Sequence, residues 1–310
     1  MGGMNQEETA VRVEREVLEE RGYACRRLLG EGAFSRVYLV ESRVSGERYA
    51  CKVGKNVSLA KREAGMMARA HHPLFPQYCG LWQEAGFSFL LMEYLPGSSL
   101  EDALIRRGRF SPGQTVRVGM ELAEGLCCLH REGLLFRDVK PANIVIRQDG
   151  RVGLVDFGCV CGVREAACSR AGSPGFAAPE QLAGPLPEPL SRQGVLPLYS
   201  VSGAEAAEQT QKEKKLTPAC DVYALGQTLK AMLGTGGGKR LLRVLEDCTR
   251  RQAEDRFPNM EEVMGALRPL MEKEDKNRDK NKGGSRIELL CRKSVYEPCV
   301  FCRKEWGTGL

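Results

Sequence analysis

Asp138, Asn143 and Asp156 are the polar residues whose spacing best suits joint chemistry. They stand in Phe136-Arg137-Asp138-Val139-Lys140-Pro141-Ala142-Asn143-Ile144-Val145-Ile146 and in Val155-Asp156-Phe157-Gly158. The first stretch is an apolar strand pattern broken by one Asp, one Lys and one Asn; the second is an apolar strand ending in Asp. Two short strands that each stop at an acid bring carboxylates together at one sheet edge. Such an edge suits a hard divalent cation, because Mg2+ takes a few carboxylate or amide oxygens together with phosphate oxygens. Asp138 is then left to orient or deprotonate an attacking hydroxyl.

Elements must hold these residues, and the pattern supplies them. Tyr23 to Leu29 reads as a strand opening into Gly30-Glu31-Gly32-Ala33-Phe34-Ser35-Arg36-Val37. A glycine turn lets backbone amides approach phosphate oxygens, although two loop glycines by themselves make an ordinary hairpin more often. Arg48 to Val53 is a further strand carrying Lys52. Residues 58–71 read as a helix with Glu63 and Met67 one turn apart on one face. A buried strand over 86–95 ends at the turn Pro96-Gly97-Ser98-Ser99. Helices are expected over 100–107 and 111–132, the latter opened by Ser111-Pro112. After the central stretch come a loop over 158–180 and an irregular region over about 182–218. That region is rich in Pro, Ser, Gln and charge, and reads as a flexible insertion. Helical periodicity resumes over 221–233, 239–250 and 259–271.

In this order the motifs resemble those of serine/threonine protein kinases. Arg137-Asp138-x-Lys140-Pro141-x-Asn143 followed by Asp156-Phe157-Gly158 is similar to their catalytic and metal-binding loops. Gly172-Ser173-Pro174-Gly175-Phe176-Ala177-Ala178-Pro179-Glu180-Gln181 resembles the activation-segment ending of the bacterial branch in particular. The resemblance covers about residues 23 to 270. It implies an α+β, two-lobed fold: a small antiparallel β-sheet N-lobe with one key helix, and a mainly helical C-lobe. The implied divisions are an N-terminal helical extension (1–22), the N-lobe and hinge (23–95), the C-lobe with its insertion (96–271), and a charged linker with a cysteine-containing tail (272–310).

The resemblance also implies roles. ATP would lie among Leu29, Gly30, Gly32, Val37, Ala50, Met92 and Val145, with its base paired to the backbone of Glu93 and Leu95. Lys52 would hold the α and β phosphates and be held by Glu63. Asn143 and Asp156 would carry Mg2+, with Mn2+ as a substitute. Lys140 would meet the γ-phosphate and Asp138 the acceptor hydroxyl. Ser173 would pack its hydroxyl on the catalytic loop, and Arg137 would clamp a phosphate on Ser169. Asp221 would brace the catalytic loop and Glu180 would pair with Arg256. Phe136 stands where the family usually has His. An apolar stack of Met67, Tyr78, Phe136 and Phe157 would accommodate it. Ser35 replaces a third loop glycine.

Composition sets outer bounds. The 310 residues carry a net charge of +6, with 28% charged and 42% hydrophobic residues, as in an ordinary globular protein. The mild positive balance reads as a solvated surface rather than a nucleic-acid footprint. No apolar run spans a bilayer and no signal-peptide core is evident. Gln6 stands where N-myristoylation wants Ser or Thr. Thirteen scattered cysteines suit reduced thiols, and a cytoplasmic location is expected. Three rival readings accompany the kinase. One is a catalytically silent kinase-like scaffold, and another a kinase-like enzyme acting on small molecules. The third gives the tail, with Cys291, Cys299 and Cys302, a metal or redox role. Cys159, Cys161 and Cys168 offer a second possible oxidant sensor. A protein substrate with a Ser or Thr acceptor is expected, and a cytosolic partner acting through the tail or insertion.

Overall fold

A computed structural model describes residues 6–163, 165, 171–182, 216–234 and 238–280. Ser169, Cys168, nearly all of the 182–218 region and the tail cysteines lie outside the described residues.

The first lobe is an antiparallel five-stranded sheet. Its strands are β1 (Tyr23–Glu31), β2 (Ser35–Ser42), β3 (Arg48–Gly54), β4 (Tyr78–Glu84) and β5 (Phe87–Glu93), in the spatial order β1-β2-β3-β5-β4. The two faces of the sheet carry different helices. On one lies α1 (Gln6–Glu20), whose Val17 and Leu18 pack with Tyr38, Val40, Cys51, Val53, Phe89 and Leu91. The other face turns towards the cleft and meets α2 (Val57–Met67), which follows β3. Strand alternation makes this division: Tyr38 and Val40 point to α1, whereas Val37, next to Tyr38, joins the larger core. Asn56 caps α2 by accepting the amide proton of Leu59 at 3.0 Å.

The second lobe is mainly helical. Its helices are α3 (Leu100–Arg107), α4 (Pro112–Arg131), a single turn α5 (Pro179–Leu182), α6 (Ala219–Leu233), α7 (Lys239–Cys248) and α8 (Met260–Lys280). Ser111 and Gln114 form a reciprocal capping box at the start of α4. Helices α4, α6, α7 and α8 share one core with residues of α2 and β3, so a single apolar body runs between the lobes. Short strands frame the cleft floor. β6 (Gly97–Ser99), β8 (Ile144–Arg147) and β9 (Val152–Leu154) form one sheet, and β7 (Leu134–Leu135) pairs with β10 (Cys161–Gly162). Gly97 has no alternative here, since a Cβ would lie 2.2 Å from the Ile146 carbonyl oxygen. The expected two-lobed α+β fold is the one observed.

The apolar stack differs from expectation in one member. Phe136 and Phe157 meet edge to face, with centroids 5.6 Å apart. Tyr78 is absent from that contact and is 40% exposed at the start of edge strand β4. Phe75 takes its place, 6.4 Å from Phe136 and 5.4 Å from Phe157. It sits in the link between α2 and β4, which the His72 carbonyl fixes by accepting from the Phe75 amide. Leu74 ties that link to β9 by accepting the Leu154 amide proton at 2.7 Å. Met67 lies in the same buried cluster, as expected.

Candidate active site

Lys52 is the hub of the cleft. Its Nζ donates to Glu63 Oε1 and to Asp156 Oδ1, both at 2.8 Å. It is thereby joined by β3, α2 and the turn after β9. Burial opposes the charge on Lys52, but the two carboxylates outweigh it and raise its pKa. Burial pushes the Glu63 carboxyl up against the pull of Lys52. Burial alone would also raise Asp156, yet the adjacent ammonium holds it below the usual carboxylate value. A side chain at Gly158 would crowd this junction, since its Cβ would lie 3.2 Å from Asp156 Oδ1 and 3.5 Å from Lys52 Nζ.

The second group forms around Asp138. Lys140 Nζ lies 2.9 Å from Asp138 Oδ2 and donates to Ser173 Oγ at 2.6 Å. Asn143 Nδ2 donates to the Asp138 carbonyl and to its Oδ2, at 2.9 and 3.0 Å. This orients the amide so that its oxygen is the atom it can offer a cation. Asp138 Oδ1 is buried without a hydrogen-bond partner among the described residues. An uncompensated buried carboxylate oxygen costs free energy unless a substrate hydroxyl or water completes it. Asn143 and Asp156 together form a hard-oxygen donor set that fits Mg2+.

These loops hold an unfavourable backbone shape. Arg137 and Asp156 have φ of 70° and 71°, in the left-handed region that side chains disfavour. Arg137 is fixed from both sides of its peptide. Asp221 Oδ1 accepts its amide proton at 2.7 Å, and Gln181 Nε2 donates to its carbonyl at 2.8 Å. Asp221 Oδ2 also accepts from the Phe136 amide and from His130 Nε2, each at 2.8 Å. Gln181 further donates to Ala171 O and accepts from the Ala178 amide. One glutamine therefore ties the loop carrying Asp138 to the segment carrying Ser173. Gly172, with φ of 108°, passes so close that a Cβ would meet the Arg137 carbonyl oxygen at 2.8 Å. Glu180 and Arg256 form a bidentate pair at 2.6 and 2.9 Å, and Arg256 also stacks over the Tyr223 ring.

Apolar residues line the cleft above these groups. Ala50 and Met92 face each other across the β3–β5 ladder, with Leu29 and Val37 packed on the same core. Val145 lies opposite Gly153, where a Cβ would meet Leu95 Cδ1 at 2.4 Å. The Glu93 amide is engaged by the Gln77 carbonyl at 2.9 Å. Gly30 lies near the end of β1, opposite Val37, and Gly32 opens the turn to β2, its amide donating to Ser35 O at 2.9 Å; neither glycine has positive φ. A Cβ at Gly30 would meet nothing within 4 Å, and at Gly32 only Ser35 O at 3.8 Å. Packing among the described residues therefore does not demand glycine at either position.

Sequence reasoning missed Gln181, His130 and Phe75. Gln181 adjoins the Glu180 motif, which was its one available signal. His130 sits on helix α4 beside no recognisable pattern. Two proposed sensor thiols are poorly suited to oxidation: burial pushes Cys159 up to about 11 and also raises Cys161, despite Arg137 beside it. Among the described residues no cluster of His, Cys, Asp and Glu matches a metal-binding group by itself.

Comparison with known proteins agrees with the geometry. A family model described as protein kinase domain matches residues 23–193. The chain is 31% identical over 160 residues to the human cAMP-dependent protein kinase catalytic subunit PRKX, covering 49% of this chain and 45% of that protein. It is 30% identical over 162 residues to the Saccharomyces cerevisiae cAMP-dependent protein kinase type 3, covering 50% and 41%. Over 164 residues it is 30% identical to the Arabidopsis thaliana serine/threonine-protein kinase PEPKR2, covering 52% and 35%. The chain spans about half the length, or less, of these curated relatives, and all three are eukaryotic. From the match over residues 23–193, the chain belongs to the protein kinase domain family.

Proposed function

We propose that this protein is an ATP-dependent serine/threonine protein kinase. The observation that carries the proposal is the assembled cleft: Lys52 bridges Glu63 and Asp156 while Lys140 bridges Asp138 and Ser173. In protein kinases the strand Lys–helix Glu pair and the metal-binding Asp must both be in place for transfer. The glycines at 30 and 32 support the same reading. They leave open backbone where a phosphate can approach, and packing among the described residues does not account for them.

ATP supplies the phosphoryl group, and Mg2+ on Asn143 and Asp156 neutralises its charge when bound. Lys52 holds phosphate oxygens from one side and Lys140 from the other. Asp138 Oδ1 accepts the proton of the incoming Ser or Thr hydroxyl, which aims its oxygen at the γ-phosphorus. Ser173, bonded to Lys140, keeps the substrate-bearing segment in register with the catalytic loop. Leu29, Val37, Ala50, Met92 and Val145 enclose the base, with the hinge backbone at Glu93 and Leu95 beside it. Since the Glu93 amide is engaged, its carbonyl is the group that accepts from the base.

Further parts of the proposal rest on sequence. These are self-phosphorylation on Ser169 with Arg137 as its clamp, and a cytosolic partner acting through the tail or the 182–218 region. The bacterial affinity rests on the Gly172–Gln181 motif alone. A cytoplasmic location is proposed likewise; no helix among the described residues is long and apolar enough to cross a membrane. The test is calorimetric titration with ATP and Mg2+, followed by transfer of labelled phosphate to a generic protein acceptor. Label on Ser or Thr supports the kinase. Tight nucleotide binding without transfer to any protein acceptor would contradict it.

A further inference from the structure

We propose that Arg36 is a positioning residue that couples α1 to the glycine turn, so that docking of α1 sets the affinity for nucleotide. The inference rests on the nucleotide-binding reading given above. Arg36 directs its three nitrogens to three carboxylates. Nε donates to Glu31 at 2.6 Å, Nη1 to Glu14 at 3.1 Å and Nη2 to Glu7 at 3.1 Å. Glu7 and Glu14 belong to α1, whereas Glu31 stands between Gly30 and Gly32. One guanidinium thus links the helix to the turn.

The strand register explains how this link avoids the cleft. Glu31 lies opposite Arg36, and Gly30 opposite Val37. Val37 packs on the cleft core, so Arg36 and Glu31 project from the opposite face, beside Tyr38. The irregularity between Leu28 and Gly30 puts Glu31 into that register. The turn can therefore be held from outside while its inner face stays open.

Charge and burial make the helix side of the link firm. Glu14 is 2% exposed and accepts from the Tyr38 hydroxyl at 2.6 Å as well as from Arg36. A buried carboxylate needs such partners, and its loss of Arg36 would weaken α1 docking. The turn side is softer, because Glu31 is half-exposed. Glycine at 30 and 32 carries more backbone freedom than any other residue, and binding phosphate removes that freedom. Holding Glu31 in advance reduces that ordering cost, which appears as tighter nucleotide binding.

The test separates the turn from the helix. In the full chain, Glu31→Ala cuts only the turn's link, and Glu31→Gln keeps an acceptor for Arg36 Nε. ATP·Mg2+ dissociation constants are measured by calorimetry, with hydrogen exchange followed across residues 30–35. The expected result for Glu31→Ala is weaker binding by roughly fivefold, the size of one exposed ion pair. Exchange in the turn should be faster, the melting temperature should stay within about 3 °C of the wild type, and Glu31→Gln should recover part of the affinity. The KM for ATP should rise with little change in kcat. If the wild type binds ATP and Glu31→Ala binds it equally well, with unchanged exchange, the coupling is wrong. If the wild type does not bind ATP, the nucleotide-binding reading fails, and the coupling fails with it.

Discussion

Asp221 accepts the backbone amide protons of both Phe136 and Arg137, at 2.8 and 2.7 Å, from a wholly buried position in α6. A helix of the second lobe therefore holds the shape of the loop that carries Asp138. The strained φ of Arg137 persists because this carboxylate and Gln181 fix its peptide from both ends. Replacing Asp221 with Ala leaves two buried amides and His130 without their acceptor. Asp221→Ala should lose about 3 kcal/mol or more of stability, read from urea unfolding. Stability within about 0.5 kcal/mol of the wild type would show that the loop does not depend on this brace.

The Glu180–Arg256 pair should be as sensitive. Arg256 is buried, bonded to both carboxylate oxygens and to the carbonyls of Ala219, Arg250 and Arg251. Arg256→Lys keeps the charge but lacks the planar fork, so it should recover little of what Arg256→Ala loses. The expected loss for Arg256→Ala is about 3–5 kcal/mol. Full recovery by Lys in the same unfolding assay would mean that charge alone matters there.

Lys52 should be essential for transfer but not for folding. Lys52→Met removes the cation shared by Glu63 and Asp156. Turnover should fall about 10²-fold or more, the scale of losing one preorganised electrostatic contact, while the chain remains folded by circular dichroism. A folded variant with near wild-type turnover would remove Lys52 from the site.

His72 gives the fold a pH dependence. Burial lowers its pKa from 6.5 to about 4, with a smaller contribution from Arg151, and its Nδ1 accepts the Leu74 amide proton at 3.1 Å. The folded state thus keeps the ring neutral where the unfolded chain protonates it. Stability from this residue is present above pH 6.5 and lost as pH falls towards 4. The partly exposed ring should contribute on the order of 2 kcal/mol across that window. His72→Asn, which keeps an acceptor without a titrating ring, should flatten the unfolding free energy between pH 6.5 and 4. An unchanged slope would assign the dependence to other groups.

The chemistry was more legible in the sequence than the supports. Asp138, Lys140, Asn143 and Asp156 sit in short motifs, and Lys52 and Glu63 fall in register with them along the chain, so the resemblance implies their positions. Phe75 is different: it lies in the link between α2 and β4, where no periodicity marks an inward face, and Tyr78 was the nearer aromatic at a strand start. Glu14 and Arg36 were hidden for another reason. Charges on an amphipathic helix and a strand normally read as solvated, and only the packing of α1 on the outer sheet face reveals a buried Glu14 paired with a partly buried Arg36.

Asp138 carries the central claim, and intact-mass analysis after incubation with ATP and Mg2+ tests it most directly. The wild type is compared with Asp138→Asn, which is close in shape but cannot accept the hydroxyl proton. The account predicts added phosphate on the wild type, on Ser or Thr residues, and its loss by about 10²-fold or more in the folded variant. Equal phosphorylation of the two proteins, or none on the wild type or on a generic protein acceptor, would contradict it.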